Sequence, residues 1–111
     1  MMIALLMVFD LTDSPVSLGE LRSTLQESKE RYRQMDGLRQ KVYLSDESGK
    51  FGGFYLFETQ DALDAALPRL RASSTQRRSG VTPRLVQFNV DAIVEGRHST
   101  PDLSQVGRTI A

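Results

Sequence analysis

With 111 residues, 14 Lys plus Arg against 14 Asp plus Glu, the chain is a single domain of zero formal charge and pI near 6.6. That balance argues against a nucleic-acid binder, which carries a basic imbalance on some face. The absence of cysteine excludes disulfides, thiolate chemistry and Cys-based zinc sites, and is compatible with a reducing compartment.

Met1 to Phe9 is apolar but lacks a positive leader region and is too short to span a bilayer, so the chain reads as soluble and cytoplasmic. Ile3–Phe9 is apolar on both alternating faces, as a strand covered on both sides would be. A Pro15-containing loop leads to Ser17-Leu-Gly-Glu20, a capping box. Leu18, Leu21, Leu25, Ser28, Tyr32 and Met35 then recur at three- and four-residue steps, predicting one helix of about five turns ended by Gly37. Glu27 and Arg31 are spaced for an ion pair on its outer face.

Leu38–Ser45 reads as a second strand, with Leu38, Gln40, Val42 and Leu44 on one side and Arg39, Lys41 and Tyr43 on the other. Asp46-Glu-Ser-Gly49 makes the turn into a third strand, Phe51–Glu58, completing a hairpin. Gly52 and Gly53 inside that strand imply a bulge, or a close approach of another element or a ligand. Thr59 and Asp61 begin a second helix with Ala62, Leu63, Ala66, Leu67 and Leu70 as its buried stripe and a kink or break at Pro68. Residues 73–80 read as loop. Val81–Val90 reads as a fourth strand, with Arg84, Val86, Phe88 and Val90 on one side.

The order βαββαβ predicts an α+β, ferredoxin-like fold: a four-stranded antiparallel sheet with two helices on one face. The strands are apolar on both faces, so a second copy is expected to cover the open one, giving a homodimer whose two sheets close a barrel. The domain spans 1–91, and 92–111 is expected to be a tail, flexible or wrapped on the partner subunit.

Gly37-Leu38, Lys41-Val42-Tyr43, Gly52-Gly53-Phe54-Tyr55-Leu56-Phe57 and the Ala- and Leu-rich second helix resemble the dimeric α/β-barrel superfamily that includes the antibiotic-biosynthesis monooxygenases. Within it they resemble the YdhR-like group of provisionally assigned monooxygenases. The resemblance implies a small homodimer and, by analogy with better-understood cousins, oxygenation of polycyclic phenols without flavin or metal. The chain departs from the group in having no tryptophan: Gln40 and Tyr43 stand where aromatics are expected. With no histidine in a predicted strand or helix, a haem-degrading activity is disfavoured.

Cofactor-free oxygenation draws its electrons from the substrate, so the protein needs an apolar pocket and a few hydrogen-bonding groups at the developing oxyanion. Tyr43, Tyr55, Asn89 and Arg84 are the candidate catalytic residues, and Gln40, Gly53, Phe57 and Phe88 the candidate substrate contacts. Each has a plainer reading. The two tyrosines also suit core aromatics with hydroxyls at the rim, Gln40 and Asn89 a dimer seam, and Arg39, Lys41 and Arg84 solvated or inter-subunit charges. His98, the single histidine, lies in the tail and acts as a base only if that tail closes over the pocket. Asp46, Glu47, Glu58, Asp61 and Asp64 fall in turns and at a helix start, where capping explains them, and no metal site is expected. Arg69, Arg71, Arg77 and Arg78 form a basic cluster whose default reading is a solvated loop.

The expected function is a cofactor-independent monooxygenase acting on an aromatic or polyketide-like hydrophobic substrate. The alternatives are an isomerase, cyclase or dehydratase on the same fold, or a non-catalytic dimeric module that binds a hydrophobic ligand.

Overall fold

The structure, a computed structural model, describes residues 1–97; the tail containing His98 lies outside the described residues. Four antiparallel strands form one sheet in the order β2-β3-β1-β4: β1 is Ile3–Asp10, β2 Leu38–Ser45, β3 Lys50–Phe57 and β4 Arg84–Asn89. Four helices accompany them, α1 (Leu18–Arg22), α2 (Leu25–Arg33), α3 (Gln60–Arg71) and α4 (Ser74–Ser79). This is the expected ferredoxin-like arrangement, with β1 and β3 at the centre of the sheet.

One face of the sheet carries the core. Ile3, Leu5, Met7 and Phe9 of β1 lie beside Phe57, Tyr55, Gly53 and Phe51 of β3, and Leu21, Leu63, Ala66 and Leu70 close over them from the helices. The helical stripes expected from the spacing are the ones that pack: Leu18, Leu25, Tyr32 and Met35 on the first side, Ala62 and Leu67 on the second. Six side chains, Phe9, Leu21, Tyr55, Phe57, Leu63 and Leu70, are fully enclosed.

Several boundaries differ from the sequence reading, each for a local reason. The five-turn helix is two helices. Ser23 Oγ donates to Glu20 O at 2.6 Å and Thr24 Oγ1 to Leu21 O at 2.7 Å, so adjacent hydroxyls take carbonyls that the helix would otherwise use. Ser17 Oγ accepts from Glu20 N as a capping box requires. Glu30, rather than Glu27, forms the ion pair on α2, with Arg33. Residues 73–80 are not a simple loop: Ser73 caps α4 and Gly80, left-handed at φ 71°, ends it. Helix α3 runs through Pro68 to Arg71 instead of breaking there. β4 begins only at Arg84, after Pro83.

The Gly-Gly pair makes no bulge. The irregularity in the β2–β3 register lies between Leu38 and Gln40 instead. It turns Leu38 onto the helix side, opposite Phe57 and against the core, while Gln40, Val42 and Leu44 face the other way. Leu38 therefore does not share a side with them. The second reading of the glycines, close approach, holds at both. A Cβ on Gly52 would sit 1.9 Å from the Met7 carbonyl oxygen of β1, and one on Gly53 would sit 3.2 Å from Lys41 Cε.

The opposite face of the sheet is largely apolar, and among the described residues no layer covers it. Leu6 lies at its centre between Phe54 and Val86. Val42, Leu44 and Phe88 on the same face are 39%, 41% and 53% exposed, large values for apolar side chains in regular strands.

Candidate functional site: a lysine among three tyrosines

The helix side of the sheet holds the cluster with chemical potential, and it is built from three elements. Helix α2 contributes Ser28, Arg31 and Tyr32, β2 contributes Lys41 and Tyr43, and β3 contributes Tyr55. All three tyrosines of the chain meet here. The Tyr32 ring stands edge-on to Tyr43 at 6.3 Å and to Tyr55 at 5.9 Å, and Tyr55 stacks on Phe57 at 6.3 Å. The Lys41 ammonium enters between the rings, 3.3 Å from the centroid of Tyr32, 4.1 Å from that of Tyr43 and 4.8 Å from that of Tyr55. Gly53 makes this path available, since its missing side chain leaves room for the lysine stem beside Tyr55.

No carboxylate lies within ion-pair distance of Lys41 among the described residues. Burial pushes its ammonium down to about 6, and the positive charge of Arg31 adds to the shift. The ring faces act in the opposite sense: a desolvated cation–π contact is worth about 2 kcal/mol, against about 1.4 kcal/mol per pKa unit. The rings return part of the shift, because only Tyr32 is in tight contact. Lys41 thus titrates below the ordinary lysine range.

The Tyr43 and Tyr55 hydroxyls are held protonated. Burial pushes Tyr43 up, partly offset by a 2.5 Å hydrogen bond shared between its Oη and Ser28 Oγ. Burial, reinforced by Tyr32, pushes the fully enclosed Tyr55 well above the ordinary phenol range. The cluster therefore brings four hydroxyls, of Ser28, Tyr32, Tyr43 and Tyr55, to a guanidinium and an amine at the edge of an apolar core. It is reached from β2, an edge strand on which Lys41 and Tyr43 are half-buried.

The eight candidate residues divide between the two faces. Tyr43, Tyr55, Gly53 and Phe57 belong to the helix-side cluster. Gln40, Arg84 and Phe88 lie on the open face, across the sheet from it. Asn89 has helix-side register beside Ile3, but it is exposed at the far end of β4.

Lys41 and Tyr32 were the residues that sequence reasoning passed over. Lys41 alternates with Val42 and so reads as a solvated charge. The available signal was Gly53: a glycine opposite Tyr43, two residues along from the Lys41–Tyr55 pair and on the same face, leaves a gap that a long stem fills.

Arg69, Arg71, Arg77 and Arg78 are exposed, as expected of a solvated cluster. Arg71 borders an open cleft of about 490 Å³ with Gln76 and the Thr82–Leu85 entry to β4. No three His, Asp or Glu side chains gather as a metal site among the described residues. No helix among them is long and apolar enough to cross a membrane.

The sequence matches no described family and no curated protein. Solved structures do match. NE2512 from Nitrosomonas europaea, of unknown function, superposes with a TM-score of 0.68 at 16% identity over 86% of this chain and 94% of its own. SnoaB from Streptomyces nogalater, a cofactor-independent oxygenase, superposes with a TM-score of 0.61 at 14% identity over 91% and 98%. A protein from Deinococcus radiodurans, assigned provisionally as an antibiotic biosynthesis monooxygenase, gives 0.61 at 18% identity over 86% and 97%. The chain thus shares its fold with these three proteins, over nearly the full length of each.

Proposed function

We propose that the protein is a small cofactor-independent monooxygenase whose substrate is a planar, electron-rich phenol of the anthrone or polyketide type. The observation that carries this reading is the convergence of Tyr32, Tyr43, Tyr55 and Lys41 between α2 and the sheet. Its presence on a fold shared with a cofactor-independent oxygenase supports the choice of chemistry.

The substrate ring lies against the tyrosine rings at the β2 edge, beside the Lys41 amine. Loss of the phenolic proton gives an electron-rich anion that delivers an electron to dioxygen. Oxygen then adds at a ring-flanked CH2 carbon, which becomes a carbonyl while the second oxygen atom leaves as water. Tyr43 turns its O–H from Ser28 Oγ to the oxyanion. Burial keeps bulk water from the reacting anion.

The proposed assembly is a homodimer. The unlayered apolar face needs a cover, and a second sheet supplies it without adding a new surface type. Residues 92–97, where Ile93 and Val94 are exposed, are proposed to run onto the partner subunit.

Oxygen uptake by metal-stripped protein tests the activity, with anthrone and naphthohydroquinone substrates and heat-denatured protein as control. Saturable uptake is expected, falling about 100-fold in kcat for Tyr43→Phe. Absence of uptake above control would remove the oxygenase reading. One observation favours a second reading, a non-catalytic ligand-binding module: Lys41 itself fills the space among the rings. Binding of the same compounds without oxygen consumption would select that module.

A further inference from the structure

We propose that Lys41 is the catalytic base of this site, its neutral amine taking the phenolic proton from a hydroquinone- or anthrol-type substrate laid against the tyrosine rings. The inference rests on the proposed oxygenase reading for its substrate class, and on the geometry of the cluster for the residue.

A base for this step must be uncharged before reaction, close to the substrate ring, and better stabilised once protonated. Lys41 meets each demand. Among the described residues its amine has no carboxylate partner to hold it charged, and burial and Arg31 both disfavour the ammonium before substrate arrives. Its Nζ lies over the faces of Tyr32 and Tyr43 and near that of Tyr55, so the positive charge formed on proton transfer meets three negative ring faces.

The other groups facing it cannot substitute. Tyr55 and Tyr43 are held protonated, Ser28 is committed to Tyr43, and the guanidinium of Arg31 has no basic electron pair. In the step, the substrate O–H bond breaks with its electron pair kept on oxygen, and an N–H bond forms on Nζ. The result is a phenolate–ammonium pair inside the cluster. Arg31, whose guanidinium carbon is 5.8 Å from the Tyr32 centroid, adds a second positive charge that favours the phenolate.

2-Naphthol separates proton transfer from oxygen chemistry, because its ionisation is followed by absorbance without any oxidation. Wild-type protein is expected to ionise bound naphthol at least 1 pH unit below the free compound, a tenfold change in its acidity constant. Lys41→Met and Lys41→Arg are expected to bind naphthol within a few-fold of wild type and lose that displacement. With anthrone, the same variants should lose about 10²- to 10⁴-fold in kcat at pH 7 with little change in KM, and Lys41→Met should recover rate as pH rises.

Equal ionisation in Lys41→Met and wild type would overturn the proposal, as would unchanged kcat in that variant; the oxygenase reading would survive either result. Ionisation by wild type and its loss in both variants, without any oxygen uptake, would uphold the amine as base and remove the oxygenase reading instead.

Discussion

Lys41→Met is expected to stabilise the protein by about 2 kcal/mol at pH 7, an unusual direction for a substitution in a half-buried cluster. Methionine reproduces the length of the lysine stem and places a polarisable sulfur among the rings, so packing is kept. What it removes is the cost of enclosing an amine that the unfolded chain leaves solvated.

The sign follows from linkage. In the folded protein the ammonium is depressed from 10.5 toward 6, so the unfolded chain binds more protons between those values. Wild-type stability therefore rises with pH across that window, and the penalty is complete below about pH 6. The variant lacks this slope, and its advantage over wild type should shrink toward high pH. Urea unfolding at pH 6, 8 and 10 measures it. If Lys41→Met destabilises the fold equally at all three pH values, the ammonium is a structural cation held by the rings.

If the proposed homodimer forms through the open face, Leu6→Arg is expected to leave a folded monomer. Leu6 sits at the middle of the open face, flanked by Phe54 on β3 and Val86 on β4, and its side chain does not enter the helix-side core. A two-fold interface places the residue in both copies. An uncompensated buried charge costs about 3 kcal/mol, so two weaken association by about 10⁴-fold. Sedimentation would show a species of half the mass, with circular dichroism unchanged. A wild-type protein that sediments as a monomer at high concentration would remove the dimer.

Element order, both helical stripes and the apolar open face were legible in the sequence because periodicity reports burial directly. Pro68 and the Ser23–Thr24 pair were harder. A proline after two helical turns is tolerated when the downstream turn is packed, as at Leu70, whereas two adjacent hydroxyls interrupt a stripe that remains in phase across the break. The facing of β2 was the larger loss. The bulge after Leu38 reverses its register on the sheet, and hydropathy alone does not locate a bulge. Alternation alone does not say which side of β2 meets the helices; the side carrying Lys41 and Tyr43 faces α2. Tyr43 and Tyr55 emerged as candidates, but Tyr32 was absorbed into the helical stripe and Lys41 into the surface charge.

The central claim is that aromatic ligands bind between α2 and the sheet, among the tyrosines, and not on the open face. The chain's three tyrosines and lack of tryptophan make this directly observable by NMR of the aromatic rings during a 2-naphthol titration. Saturable shifts of the Tyr32, Tyr43 and Tyr55 rings, with Val42, Val86 and Phe88 unmoved, are the predicted result. Shifts at Val42, Val86 and Phe88 with all three tyrosine rings unchanged would place the ligand on the other face and contradict the account.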